Sequence, residues 1–216
     1  MSKFAVLGSG QVGQVLADGL LGIGHDVTRG SREPSKLAPW KAGAGARARV
    51  ATFAEAAAWA DSVVLAVKGT AAELVIEQTG LSAIAGKTVM DATNPIADAA
   101  PTHGVLRFFT DLNDSLMERL QRKAPDARFV KVFSCVGNAF MVHPKFPGGP
   151  PTMFICGNHE GAKADVRAIL DQFGWETADM GTVEAARAIE PLCMLWCIPG
   201  LLGGNWTHAF KMLRLP

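Results

Sequence analysis

A chain of 216 residues is long enough to bury a substantial core without disulfide staples, and fits one domain with room for a small appendage. Its 21 Lys and Arg balance 20 Asp and Glu with no block of like charge, which argues against a nucleic-acid binder or a protein held to an anionic membrane. Four cysteines with no basic, apolar leader point to a reduced, cytoplasmic protein, and the absence of Tyr excludes a Tyr-Lys carbonyl-reductase site.

Short β-branched runs alternate with Ala-rich stretches through the first half of the chain, the pattern of βαβ units around a parallel sheet. The spacing predicts a strand over 4–8, a helix over 12–21, a strand over 25–28, a helix over 34–42 and a strand over 48–51. A helix over 52–59 follows, with Thr52 as its cap and Glu55 at the capping-box position. Residues 62–67 form an unbroken apolar run, which requires burial on both faces and marks the central strand. A helix over 70–78 and a strand over 88–91 come next, and Asn94-Pro95 stops that strand.

Beyond a loop over 95–109, the pattern gives a helix over 111–122 and a strand over 128–135, then an irregular stretch to 151. A strand over 152–156, an amphipathic helix over 162–173 and a strand over 175–178 complete the sheet. The C-terminal stretch reads as a helix over 183–198, broken at Pro199-Gly200, and a second helix over 201–213. Residues 191–207 are uncharged but interrupted and shorter than a spanning helix, so they read as buried helices or a subunit interface, not a membrane segment.

Gly8-Ser9-Gly10-Gln11-Val12-Gly13 is a G-x-G-x-x-G placed between the first strand and the first helix. The first glycine permits the tight turn, the second lets the backbone approach a pyrophosphate, and the third lets helix and strand pack closely. The fold class expected is therefore α/β, a Rossmann-type doubly wound, mostly parallel sheet, with residues 1–180 as the dinucleotide-binding domain and 181–216 as a small helical cap.

An NAD site places Asp or Glu at the end of the second strand to hold the ribose 2′-hydroxyl. Here that place is taken by Thr28-Arg29-Gly30-Ser31-Arg32, with Lys36 one turn further on. A hydroxyl and guanidinium groups suit a dianionic 2′-phosphate, which favours NADP(H) over NAD(H).

Gly8 to Gly13, Gly30-Ser31-Arg32 with Lys36, Asp91-Ala-Thr-Asn-Pro95, Val130-Lys-Val-Phe-Ser-Cys-Val-Gly137 and Ile189-Glu-Pro-Leu-Cys-Met-Leu-Trp196 together resemble the F420-dependent NADP oxidoreductase family over nearly the whole chain. The resemblance implies that Ser9, Gly10, Gln11 and Val12 cradle the pyrophosphate and that Ser31, Arg32 and Lys36 hold the 2′-phosphate. It implies that Val67, Asn94, Pro95 and the backbone from Gly137 to Ala139 line the nicotinamide. It further implies hydride exchange between NADP(H) and the deazaflavin F420 in a homodimer. Lys68-Gly69 departs from the family pattern after the fourth strand. Relatives that share the signature include the cytoplasmic domains of metalloreductases, so reduction of flavin, iron or another small redox substrate is the alternative chemistry, and a non-catalytic NADP(H)-sensing module the alternative class.

Hydride transfer between two rings needs stacking and orientation, so no catalytic side chain is expected. Cys135, Asn138 and His143 are the candidate contacts to the second substrate. Cys193 and Cys197 lack partners at metal-ligand spacing and read as core thiols, with no metal site expected. Met194, Leu195, Trp196, Ile198, Trp206 and Phe210 form an apolar stripe suited to the cap or a dimer face. Asp91 reads as a turn residue and Asp111 as a helix N-terminal charge.

Overall fold

A computed structural model describes residues 1–215; Pro216, the last residue of the expected cap, lies outside the described residues. The β-branched runs become six parallel strands: β1 (Lys3–Leu7), β2 (Asp26–Gly30), β3 (Ala48–Ala51), β4 (Ser62–Leu65), β5 (Thr88–Asp91) and β6 (Arg128–Lys131). They lie in the order β3-β2-β1-β4-β5-β6, so the sheet is wound outward in both directions from β1. Crossovers from β1 and β4 leave on opposite sides, and the crevice between them opens at the carboxyl ends of the strands.

Side chains alternate across the sheet with the strand period of two. Phe4 and Val6 face one core with Leu16 and Leu20 of α1 (Gln11–Gly22) and with Val166 and Leu170 of α7 (Glu160–Phe173). Ala5 and Leu7 face a second core with α3 (Phe53–Trp59), α4 (Gly69–Thr79), the short α5 (Leu81–Ile84) and α6 (Leu116–Lys123). Both faces are covered, as an all-parallel sheet requires.

Local signals place several boundaries. Thr52 and Glu55 form the expected capping box on α3. The stretch over 34–42 is a 3-10 turn followed by α2 (Ala38–Gly43). The helix expected from 111 begins instead at Leu116, because Ser115 and Glu118 form a capping box of their own. Asp111 sits in a turn before it, where its carboxylate accepts from the Asn113 amide at 2.7 Å.

β6 ends at Lys131, four residues earlier than its apolar run suggests. The chain then turns under the sheet edge, with Phe133 at φ +61. Beyond the irregular stretch, β7 (Thr152–Ile155) and β8 (Glu176–Asp179) pair in parallel across α7, and a single antiparallel bridge from Lys131 to Cys156 attaches them to β6.

The C-terminal reading needs two corrections. After a 3-10 turn, α8 (Ala186–Ile189) leads into α9 (Pro191–Gly203), which runs through Pro199-Gly200 without a break. Gly204, at φ +70, ends it: its amide donates to the Gly200 carbonyl at 2.9 Å and the next amide, Asn205, to the Pro199 carbonyl at 3.3 Å. Residues 205–213 are not helical. Trp206 doubles back onto Gly200, so close that a Cβ there would lie 2.3 Å from the indole ring. The Thr152 amide then bonds the Phe210 carbonyl at 2.9 Å. The Gly203-Gly204 pair supplies the stop, and the tail meets the edge of β7 again where the Met212 amide donates to the Thr152 hydroxyl at 3.0 Å.

Val183–Gly203 is by length and composition apolar enough to cross a membrane, and one-third of it is buried within this fold. Val183, Ala186 and Ile189 belong to the second core, while Leu192 and Phe210 pack on the first.

A charged group at the middle of that stretch joins it to the sheet. Glu190, on the α8–α9 junction, reaches Lys131 at 2.8 Å, and Asp91 reaches the same ammonium at 2.9 Å. Lys131 also donates to the Thr93 carbonyl at 2.6 Å. Glu190 accepts from the Leu116 and Met117 amides at the start of α6, both at 3.0 Å, and Asp91 accepts from the amide and hydroxyl of Thr93. All three side chains are buried, and burial disfavours the ammonium. The two carboxylates outweigh that cost and hold the Lys131 pKa above its ordinary value. Lys131→Met leaves two buried carboxylates unpaired and is expected to cost about 3–5 kcal/mol in a urea melt; a loss below about 1 kcal/mol would mean the cluster does not hold the cap.

Candidate functional site

The loop after β1 is shaped by two glycine contacts. A Cβ on Gly8, at φ +140, would stand 2.2 Å from the Ala66 carbonyl oxygen at the end of β4. A Cβ on Gly13 would stand 2.7 Å from the Gly8 oxygen, so the third glycine lets α1 approach the turn. Gly10 differs: nothing lies within 4 Å of where its Cβ would be. It borders open space at the helix start, which is where a phosphate needs the backbone bare.

The amides of Ser9, Gly10, Gln11, Val12 and Gly13 have no hydrogen-bond partner among the described residues, while Gln14 already donates to the Gly10 carbonyl. No acidic residue occupies the first turn of α1. Free donors and the positive end of a twelve-residue helix make an anion cradle.

At the end of β2 a cleft of about 250 Å³ runs from the glycine loop past Ser31, Arg32 and Lys36 to Val67 and Lys68. Ser31 is buried and its hydroxyl accepts from the Glu33 amide at 3.2 Å. Arg32 is exposed, and Lys36 pairs with Glu33 at 2.9 Å on the surface. The one carboxylate on this rim is therefore already matched by a lysine, and Arg32 stands ready for an anion. Arg29 is not on the rim. It turns behind the glycine loop, donating to the Gly8 and Gly10 carbonyls at 3.2 and 3.1 Å.

The expected nicotinamide wall is drawn together from four segments. Gly69 explains the departure at the start of α4, because a Cβ there would lie 2.0 Å from the Asn94 carbonyl oxygen. Lys68, beside it, pairs with Asp98 of the loop after β5. The Asn94 amide donates to the Ser134 carbonyl at 3.4 Å, and Asn138 donates to the Gln11 side chain at 3.4 Å, which ties the 137–139 segment to the glycine loop. Trp196 of α9 presses on Gly137, whose Cβ would lie 2.5 Å from the indole. The Asn94 Oδ1 and Ser134 Oγ are buried without a partner. Such polar atoms await a donor or acceptor, and a carboxamide supplies both.

The structure thus brings Val67, Asn94, Pro95, Gly137, Asn138 and Ala139 into the neighbourhood of the cradle, but not Cys135 or His143. Cys135 lies inside the first core, where burial pushes its thiol up to about 12. His143 is exposed and edge-on to Phe173 at the far end of α7, with its amide bonded to the Phe173 carbonyl at 2.8 Å. Neither side chain is among those that line the cleft. The apolar run continuing past β6 and the Pro/Gly-rich loop gave no hint of these directions. Among the described residues, no three His, Cys, Asp or Glu side chains are grouped to hold a metal.

Sequence reading missed the partners of Asp91. A lone charge inside Val-Met-Asp, Phe-Val-Lys-Val-Phe and Ile-Glu-Pro was the available signal, since charged groups are rarely buried unless paired.

A family model for "NADP oxidoreductase coenzyme F420-dependent" matches residues 3–95, from β1 through the turn after β5. A crystal structure from Arthrobacter sp. FB24, of a protein described as a candidate F420-dependent NADP reductase, is 32% identical over 99% of this chain and 100% of that one, with a TM-score of 0.92. The chain belongs to the F420-dependent NADP oxidoreductase family. The metalloreductase STEAP3 of Rattus norvegicus is 29% identical over 98% of the chain, which spans 42% of that protein's length. The fold is also shared with an imine reductase from Aspergillus terreus solved with NADPH4, at 22% identity, a TM-score of 0.67, and coverage of 94% of this chain and 63% of that one.

The basic rim at β2 predicts a preference for NADPH over NADH. Arg32→Ala is expected to weaken NADPH by roughly 1.5–3 kcal/mol, the value of a charge-assisted contact, and to leave NADH unchanged in calorimetric titrations. Equal losses for both would remove Arg32 from the 2′-phosphate site.

Proposed function

We propose that the chain passes a hydride between NADP(H) and a second planar redox compound, with the deazaflavin F420 as that compound. The observation that carries this is the continuity of one cleft: an anion cradle at Gly8 to Gly13 and a basic rim at Ser31, Arg32 and Lys36. The bonds from Asn94 to Ser134 and from Asn138 to Gln11 tie the expected ring-end wall to the glycine loop. Matches to the family model and to the Arthrobacter structure support the same reading.

The dinucleotide supplies the hydride chemistry. What the chain contributes is position. The free amides of Ser9 to Gly13 hold the diphosphate, and Ser31, Arg32 and Lys36 hold the 2′-phosphate, with Lys36 exchanging Glu33 for the ligand. Asn94, with its unpaired oxygen, and the Gly137 to Ala139 backbone orient the ring end. Trp196 and Val67 keep that end dry, which favours transfer over exchange with water. With both rings bound, one hydride and one proton from solvent per NADPH would balance the exchange. No acid or base in the wall is needed for that step.

A homodimer goes with this reading. Leu195 and Leu202 of α9 are more than half exposed, and Leu201 and Trp206 add to the same apolar surface. Reduction of flavin or a ferric complex is the second reading, favoured by the match to the metalloreductase.

The assay is to mix the purified protein with NADPH and oxidised F420 and follow the absorbance of both, with free flavin and a ferric chelate in parallel. Turnover with F420 is expected, faster with NADPH than with NADH. Oxidation by flavin or iron alone would replace F420 by the second reading, and tight NADPH binding with no oxidation by any acceptor would make the chain a dinucleotide-sensing module.

A further inference from the structure

Arg29 is a buried cation without a counter-ion. It stands in β2, 1% exposed, and makes no ion pair with a carboxylate among the described residues. Its guanidinium lies over the Trp40 ring at 5.0 Å, and Nε has no hydrogen-bond partner. The carboxylate whose charge acts on it is Asp18, which already accepts from the Trp40 indole N–H at 2.7 Å. Burial lowers the Arg29 pKa from its ordinary value, with Asp18 only partly opposing that. A guanidinium stays charged even so, and a buried charge is costly unless something of opposite sign answers it.

What Arg29 does touch is the glycine loop. Its Nη2 donates to two carbonyls, Gly8 and Gly10, and leaves the intervening Ser9 carbonyl alone. In a trans peptide the carbonyl and the next N–H point in opposite directions. Drawing back the Gly8 and Gly10 carbonyls therefore turns the Ser9 and Gln11 amides to the other face of the loop. Those two amides are among the five that have no partner.

We infer that Arg29 is a positioning residue of the diphosphate site, holding the Gly8 and Gly10 carbonyls so that the Ser9 and Gln11 amides face the anion, whose charge answers that of the guanidinium behind the loop. The inference rests on the NADP(H) reading and deepens it. It separates two arginines that stand three residues apart: Arg32 acts on the 2′-phosphate alone, whereas Arg29 acts on the diphosphate that NADPH and NADH share.

Calorimetric titration of the native chain and of Arg29→Met with NADPH, NADH and adenosine 2′-phosphate tests this. The variant is expected to weaken both dinucleotides by the same factor, roughly tenfold or more for a charge-assisted contact, and to bind adenosine 2′-phosphate, which has no diphosphate, as the native chain does. Unchanged affinity for the dinucleotides, or a loss confined to NADPH, would overturn the assignment. Loss of adenosine 2′-phosphate as well would overturn it too, by showing that Arg29 only supports the fold of β2 and α1. If the methionine variant does not fold, Arg29→Lys carries the test, with a smaller but equal loss for both dinucleotides expected and no loss counting against it. A native chain that binds neither dinucleotide would sink the underlying reading instead.

Discussion

One buried ammonium joins the two halves of the molecule. Lys131 ends β6, Asp91 ends β5, and Glu190 sits between α8 and α9, so their contact fixes the C-terminal helices to the carboxyl edge of the sheet. Two carboxylates face one ammonium, and the excess negative charge is met by the first amides of α6. Every oxygen involved has a donor, which is the condition under which a buried charged network holds a unique arrangement. The consequence reaches the cleft, because the helix that Glu190 starts carries Trp196 onto Gly137.

A second, opposite arrangement operates at the other end of the cleft. There the chain gathers positive groups that meet no carboxylate among the described residues: five free amides at the start of α1, the exposed Arg32 and the buried Arg29. In the Lys131 cluster charges of both signs are brought together to close a structure; at the glycine loop one sign is left in excess to receive a ligand. The only rim carboxylate among the described residues, Glu33, is held by Lys36. This division of charge explains how a protein of nearly zero net charge presents a locally cationic site.

Much of this was legible in the residues, for a physical reason. The glycine loop, the basic segment from Thr28 to Lys36 and the Thr52–Glu55 capping box are local devices, each specified by a short consecutive stretch of chain. The sheet itself follows from apolar runs whose burial on both faces leaves one arrangement. What was not legible depends on residues far apart in the chain. Asp91, Lys131 and Glu190 meet across ninety-nine positions, and no spacing rule connects them. The direction of Arg29 depends on Trp40 packing beside it, so a guanidinium that composition assigns to the cleft rim lies behind the loop. The tail after Gly204 reads as a helix by composition, but it pairs with Thr152 and folds Trp206 onto Gly200, a choice made by tertiary contacts. Cys135, expected at the end of a strand over 128–135, lies past the end of β6 at Lys131, and its thiol is buried in the first core.

The claim on which the account stands is that the cleft is built for a dinucleotide bearing a 2′-phosphate. Titration of the native chain with NADPH and NADH, repeated over a series of salt concentrations, measures that directly. The account predicts tighter binding of NADPH by about tenfold or more, with the gap narrowing as salt screens the exposed Arg32 and Lys36. Equal affinities at every salt concentration would contradict it.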